Sequence, residues 1–416
     1  MAEPSHLSEL RQRLARLAPT RWRTLREFAP ATGAALLPRQ AGPAEPLQTS
    51  ADARRRASPA SPALLDLASN DYLGLSRHPA VLAAAAAELQ RSGLGAGASR
   101  LISGTRPVHL RLEAELAAWL GRERVLLFPS GFQANLGAVC ALADRHSLVL
   151  ADRLIHHSLL VGVQASGARL QRFRHNDGTD LARRLFNARR DRPAQRLLVL
   201  VESLYSMEGS SPDLHGLAEL CRDHSALLLV DEAHALGVLG PGGRGLCLAL
   251  PHDLRAHTLM SGTFGKAFGS GGAFLAGDAL LGDWLLQQCG AFRYSTALAP
   301  PLAAGALAAL ELLRSSSATA AGLLERSQRW RDAIEAAGWT RPAGIGPVLP
   351  LLVGNEARAL ALQARLEQAG LLTVAIRPPT VPEGSARLRL VLRQDLPGGV
   401  LERLLEALGP GPHAVR

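Results

Sequence analysis

Six short, unbroken apolar runs set what this chain can fold into. They are VLLF (125–128), SLVLA (147–151), LLVLV (197–201), ALLLV (226–230), HTLMS (257–261) and GAFLAG (272–277), each closed by polar residues or glycine. A strand with one wet face alternates apolar and polar residues, whereas an unbroken apolar strand is covered on both faces. Stretches of helical length lie between the runs, among them 108–120, 131–142, 178–189 and 213–224. The alternation predicts an α/β fold with a mostly parallel sheet between two layers of helices. Beyond about residue 300 the text changes to long Ala/Leu/Arg helices (301–314, 317–337, 357–369, 397–408) with VLPLLV, LLTVAI and ARLRLVL among them. The expected organisation is a helix and arm over 1–64, with a flexible Pro/Ala/Arg-rich insertion at 39–62, a large domain over 65–300 and a smaller α/β domain over 301–416.

Composition removes several classes. With 47% hydrophobic and 20% charged residues over 416 positions, the chain is neither disordered nor fibrous. No apolar run reaches the length of a membrane span, and the polar start carries no signal-peptide core, which predicts a cytoplasmic protein that does not enter membranes. Cys140, Cys221, Cys247 and Cys289 are scattered, without the CxxC spacing of zinc sites and without a disulfide framework, so no metal is expected. The net charge of +10 admits an acidic partner, and an Arg-rich nucleic-acid-binding protein is the reading of a different class. The basic residues are spread along the chain and only 4% of residues are aromatic, which favours a solvated Arg-rich surface and no nucleic acid partner.

One count is sharper. Of the 46 Lys and Arg residues a single one is lysine, Lys266. Arginine replaces lysine in ion pairs, but a guanidinium does not offer a free amine. A lone lysine is therefore a candidate nucleophile. It lies in Gly262-Thr263-Phe264-Gly265-Lys266-Ala267-Phe268-Gly269, a glycine-rich and otherwise apolar turn after the HTLMS run. Such surroundings lower an amine's pKa by desolvation.

Ligands of open α/β sheets sit beyond the carboxyl ends of the strands, and reactive residues follow the other runs as well. After VLLF comes Pro129-Ser130-Gly131-Phe132-Gln133-Ala134-Asn135, a turn into a helix whose first amides suit a phosphate. It is not a P-loop. After ALLLV comes Asp231-Glu232-Ala233-His234. Asp231 reads equally well as the partner of a protonated pyridine nitrogen and as a helix cap. His156 follows a strand and suits stacking on a pyridine ring, with His157 as the competing choice. An amine for a Schiff base, a carboxylate for a pyridinium and a phosphate turn together specify pyridoxal 5'-phosphate.

At this point the chain resembles the α-oxoamine synthases, fold-type-I pyridoxal phosphate transferases. The resemblance runs from about Leu65 to the C-terminus. Its landmarks are SNDYLGLS (69–76), GAGASRLISG (95–104), FPSGFQAN (128–135), ADRLIHHS (151–158), ESLYSMEG (202–209), DEAHALG (231–237), GTFGKAFG (262–269), YSTALAPP (294–301) and IRPPTVPEGSARLRL (376–390). It implies a seven-stranded sheet in the large domain and a homodimer with the site at its interface, where YSTALAPP reaches toward a partner subunit's cofactor. It also implies roles. Lys266 forms the Schiff base and moves the substrate's α-proton, Asp231 pairs with the pyridinium and His156 stacks on the ring. His234 and Ser206 hydrogen-bond the cofactor, and Gly131, Phe132 and Thr263 lie on its phosphate side. Asn70 and Arg389 hold the amino-acid carboxylate, with Arg387 the near alternative, and Arg26 and Thr380 contact the acyl substrate. The IRPPTVP segment is most like the family member that joins L-alanine to a pimeloyl thioester, on CoA or an acyl carrier protein, in biotin biosynthesis. Sister acyltransferases that use glycine with acetyl- or succinyl-CoA, or serine with a fatty acyl thioester, are the alternatives.

Overall fold

The computed structural model describes residues 5–39, 62–315 and 317–412. The insertion read at 39–62 lies, but for its two end residues, outside the described residues.

Seven strands form one sheet: β1 (Arg124–Phe128), β2 (Leu148–Asp152), β3 (Arg169–Phe173), β4 (Leu197–Glu202), β5 (Leu227–Asp231), β6 (Thr258–Thr263) and β7 (Ala273–Gly277). Their order is β1-β7-β6-β5-β4-β2-β3. From β3 to β6 every pairing is parallel. β7 runs antiparallel to both of its neighbours, β1 and β6.

The unbroken apolar text of the strands has a direct structural cause. Leu148 and Leu150 enter one core, while Val149 and Ala151 enter the other. Leu197, Val199 and Val201 are likewise separated from Leu198 and Leu200. The helices at 131–142, 157–166 and 279–288 cover one face; those at 107–120, 178–191, 214–223 and 300–315 cover the other. All six apolar runs are strands. β3 is the strand that has no such run, because it lies at the sheet edge, where only Phe173 is fully buried and the sequence RLQRF keeps polar residues toward water.

Two smaller sheets complete the described structure. Val348–Gly354, Ala386–Val391 and Val374–Ile376 pair antiparallel, with 386–391 in the middle. The strands Glu27–Pro30, Ala35–Arg39, Leu64–Asp66 and Leu371–Leu372 make the other sheet, so the N-terminal arm is hydrogen-bonded to the C-terminal part of the chain. On these sheets we propose a large unit over 65–300 and a smaller one over 301–416, with the strands of the first 64 residues laid along the smaller.

The smaller unit is held by an unusual buried cation. Arg331 is 1% exposed. Its guanidinium donates to the carbonyls of Ser327, Pro342, Ala343, Gly346 and Val348 at 2.8–3.3 Å. Burial lowers its pKa to about 10, so it stays charged at neutral pH. Five carbonyls accept from one side chain, and buried acceptors left without that donor are costly. Arg331→Met is expected to destabilise the protein by about 2–4 kcal/mol, measured as a lower midpoint in urea unfolding.

Candidate active site

The parallel strands deliver their reactive residues to one edge. β4 ends on Glu202, β5 on Asp231 and β6 on Thr263, in adjacent positions of the sheet, and Lys266 follows β6 by three residues. Glu202 and Asp231 are register partners, so both side chains rise from the same face. A pocket at this edge is lined by Gly131, Phe132, Asn135, His156, Glu202, Asp231, Ala233, His234, Ser261, Gly262, Thr263 and Lys266.

The lysine turn is folded tightly against its surroundings. Phe264 and Phe268 are fully buried, with ring centroids 5.3 Å apart. Gly269 has φ +61°, and a Cβ there would fall 2.1 Å from the backbone nitrogen of Ser76. Only glycine lets the turn close at that point. Lys266 itself is half-buried and lines the pocket. Burial lowers its pKa to about 8, Asp231 and Glu202 oppose that shift, and Arg389 adds to it. A useful fraction of free amine is thus present near neutral pH.

Asp231 is anchored from two sides. Its Oδ2 accepts from Asn135 Nδ2 at 2.7 Å and its Oδ1 from the Ala233 amide at 2.9 Å. Asn135 Nδ2 also donates to Ser158 Oγ at 3.0 Å, and Ser158 Oγ lies 2.7 Å from His156 Nδ1. The chain of bonds sets the His156 ring at the start of the helix 157–166, open to the pocket. Burial, with help from Lys266, lowers the His156 pKa although Asp231 opposes it, so the ring is neutral. His157 does not line the pocket.

A second chain of bonds crosses from the smaller unit. Arg389 donates through Nε to the Ser206 carbonyl at 2.7 Å and through Nη2 to Asn70 Oδ1 at 2.9 Å. The Tyr72 hydroxyl lies 3.5 Å from that same oxygen and 2.5 Å from His234 Nδ1. Tyr72 is fully buried and its pKa is pushed up to about 12 by burial, so the phenol keeps its proton. His234 is driven well below its ordinary pKa by burial and by the cations Lys266 and Arg389. It is therefore neutral. Arg387 is committed elsewhere, to the Met207 carbonyl at 3.0 Å and Glu208 at 3.4 Å.

The residues present fit pyridoxal phosphate. Ser130 caps the helix 131–142 through Gln133 N, leaving the first amides of that helix facing the pocket. A Cβ on Gly131 would meet nothing nearer than Thr263 at 3.8 Å, so the space beside it is open to a phosphate. Asn135 Oδ1 and Ser261 Oγ are buried without a partner, and both residues line the pocket. The Thr263 hydroxyl already bonds the Gly272 carbonyl at 3.0 Å and accepts from the Gly265 amide at 3.2 Å, which fixes it in place.

Not every expected residue reaches the pocket. Arg26 is exposed, pairs with Glu367 at 2.7 Å and lies over the Phe28 ring. Thr380, also exposed, is reached instead by Arg23 Nη2 at 3.4 Å, while Arg21 pins the arm to Glu356 and Glu383. Asn135, Glu202 and Tyr72 are site residues that motif reading leaves without a role. Two of them carry a sequence signal: Glu202 directly follows the LLVLV run, and Asn135 lies one helical turn past Gly131.

With this geometry in view, the chain belongs to the aminotransferase class I and II family, whose model matches residues 62–408. Its fold is that of the fold-type-I pyridoxal phosphate transferases. It is 45% identical over 346 residues to the 8-amino-7-oxononanoate synthase of Anaeromyxobacter dehalogenans, covering 83% of this chain and 86% of that one. Among solved structures it is similar to Sphingomonas wittichii serine palmitoyltransferase, with TM-score 0.83, 26% identity and coverage of 97% of this chain and 95% of that one. The 8-amino-7-oxononanoate synthase of Francisella tularensis matches with TM-score 0.70 and 25% identity, over 83% of this chain and 96% of that one.

A lysine with a pKa of about 8 makes a directional prediction. Only the neutral amine attacks an aldehyde, so below pH 8 the rate at which cofactor-free protein takes up pyridoxal phosphate rises about tenfold per pH unit. Above that pH it levels off. Stopped-flow absorbance across pH 6–10 measures the profile.

Proposed function

We propose that this protein condenses L-alanine with a pimeloyl thioester, carried on CoA or an acyl carrier protein, to give 8-amino-7-oxononanoate, CO₂ and the free thiol carrier. The observation that carries the reading is the chain's single lysine, its amine desolvated in the pocket that Asp231 also lines. The 45% identity to a protein named for that reaction supports the choice of substrates.

Bound pyridoxal phosphate supplies an electron sink for the pair left behind when a bond to the substrate's α-carbon breaks. The chain's own residues do the rest. Lys266 holds the cofactor and, once free, takes the α-proton on its Nζ. Asp231 keeps the pyridine nitrogen protonated, and its bonds to Asn135 and the Ala233 amide hold its carboxylate in place for that task. The open face of His156 covers the ring and excludes water from it. His234, neutral and fixed by Tyr72, would hydrogen-bond the cofactor, as would Ser206. The amides of Gly131 and Phe132 would anchor the phosphate, with Thr263, its hydroxyl held by the Gly272 carbonyl, lining that side of the pocket. Arg389, aimed by Ser206 and Asn70, grips the amino-acid carboxylate, and Arg23 and Thr380 stand on the acyl side.

The likeness to serine palmitoyltransferase, which spans 97% of this chain, favours a second reading: serine with a long acyl thioester. We further propose a homodimer in the cytoplasm. Ile102 and Tyr294, each 80% exposed, and Phe132 beside the pocket leave large apolar side chains that a second subunit would cover.

Three outcomes test the reading. Incubation of cofactor-loaded protein with alanine, glycine or serine and with pimeloyl or palmitoyl thioester, followed by mass spectrometry, is expected to yield 8-amino-7-oxononanoate from the alanine and pimeloyl pair. Lys266→Ala is expected to abolish that product while the thermal midpoint stays within a few degrees. Arg389→Leu removes a charge-assisted bond to the carboxylate and is expected to raise KM for the amino acid about 10- to 100-fold, whereas Arg387→Leu leaves that KM nearly unchanged.

A further inference from the structure

The groups that hold Arg389 are themselves held, and one side chain does this from outside the pocket. Arg389 Nε ends on the carbonyl of Ser206, in the loop that follows β4. Met207 and Glu208 of the same loop receive Arg387. Gly209, at φ +65°, packs so closely on the smaller unit that a Cβ there would fall 2.6 Å from the Val348 carbonyl. The loop thus bridges the large sheet and the smaller unit. Its two stems are joined: the Tyr205 amide donates to the Ser210 carbonyl at 2.9 Å, and the Gly209 amide donates to the Tyr205 carbonyl at 2.8 Å.

His175, in the turn after β3, touches both stems. Its Nε2 lies 2.8 Å from Ser210 Oγ. Its ring stands perpendicular to the fully buried Tyr205 ring, with centroids 4.5 Å apart. The other nitrogen, Nδ1, lies 3.0 and 3.1 Å from the two oxygens of Asp152, the fully buried last residue of β2. A carboxylate only accepts, so Nδ1 carries a proton toward Asp152 and Nε2 is left to face the Ser210 hydroxyl. Asp152 is fixed in turn by the amides of Leu154 at 2.9 Å and Asn176 at 2.8 Å. Asn176, at φ +52°, adds a bond from Nδ2 to the Ser211 carbonyl at 3.3 Å. β2 and β4 are paired neighbours, so the imidazole spans from the end of one strand to the loop that leaves the other. Ser206 directly follows Tyr205, which places the carbonyl that aims Arg389 one residue from a ring that His175 braces.

We infer that His175 is a positioning residue for the amino-acid carboxylate: braced by Asp152, it fixes Tyr205 and Ser210, and through them the Ser206 carbonyl that aims Arg389. His175 does not line the pocket, so it acts on the substrate only through that loop. Arg389 has two anchors, the Ser206 carbonyl and Asn70 Oδ1. With one of them displaced, the guanidinium turns about the other, and a charge-assisted bond weakens as its direction is lost. The inference rests on Arg389 meeting an amino-acid carboxylate, as in the reading above.

The test uses full-length protein loaded with pyridoxal phosphate and titrated with L-alanine, glycine and L-serine in turn. The change in the cofactor's absorbance gives an apparent Kd for each. Uptake of the cofactor by cofactor-free protein is measured beside it. In His175→Asn the side-chain amide takes the place of Nδ1 and keeps Asp152 satisfied, while the reach to Ser210 is lost. Its Kd for the amino acid is expected to rise about 3- to 10-fold, the effect of one hydrogen bond, with cofactor affinity within about twofold. Ser210→Ala removes the same bond from the other side and is expected to shift the Kd in the same direction; it also serves if His175→Asn does not fold. The double variant is expected to lose little more than His175→Asn alone, as for two residues that act through one contact. Titrations of the variants that overlay those of the unaltered protein overturn the inference. So does an equal weakening of amino acid and cofactor, which a merely structural role would give. If the unaltered protein responds to none of the three amino acids, the reading of the pocket falls and the inference with it. Product formation is a separate measurement, so the choice of alanine and a pimeloyl thioester can fail while the role of His175 stands.

Discussion

The withdrawal of one amine from water is the constraint on which the rest of the site depends. An ammonium is stable in solvent and costly in a pocket walled by protein, so burial alone pushes Lys266 toward its neutral form. The two carboxyls on neighbouring strand ends hold the shift to a pKa of about 8. Were the amine fully exposed it would stay charged at neutral pH; were it buried without the carboxyls, no negative charge would oppose its loss of the proton. The fold supplies both conditions, because a parallel sheet directs β4, β5 and β6 to finish side by side at the same edge.

The same economy governs the other groups of the pocket. Three of them, His156, His234 and Tyr72, are kept neutral by burial, and the hydrogen bonds that burial demands are made with one another or with Asn70 and Ser158. Each chain of bonds ends on a charged residue: Asp231 in one case and Arg389 in the other. The two chains come from opposite sides, one from the helices over the large sheet and one from the smaller unit. A change in the position of Arg389 therefore reaches His234 through Asn70 and Tyr72, which, on the proposed reading, couples the amino-acid end of the site to its cofactor end.

Much of this was legible without coordinates. A lone lysine in an arginine-rich chain and an acidic residue after a buried apolar run are statements about chemistry and burial that the residues carry locally. The six apolar runs became six strands because each buries both faces, which is what their composition encodes. β3 was not legible in this way: an edge strand has one wet side, and RLQRF reads as neither strand nor helix. Arg26 illustrates another limit. Arg13, Arg16, Arg21 and Arg23 lie between Arg11 and Arg26, and sequence order does not say which of these arginines faces Thr380. Arg23 does so because Arg21 is already fixed by Glu356 and Glu383, and Arg26 is drawn to Glu367.

The sequence by itself determined the fold class and the place of the one lysine, since these follow from hydrophobic pattern and from the lack of any second lysine, while it left Asp231 equally readable as a helix cap. Tertiary structure decided the pairings. That Asn135 orients Asp231, that Tyr72 fixes His234, that Arg389 rather than Arg387 meets Asn70, and that Glu202 shares a pocket with Lys266 all depend on contacts between residues 64 to 319 positions apart. Hydrogen bonds act over about 3 Å, and only the packed chain brings groups so distant in sequence within that range.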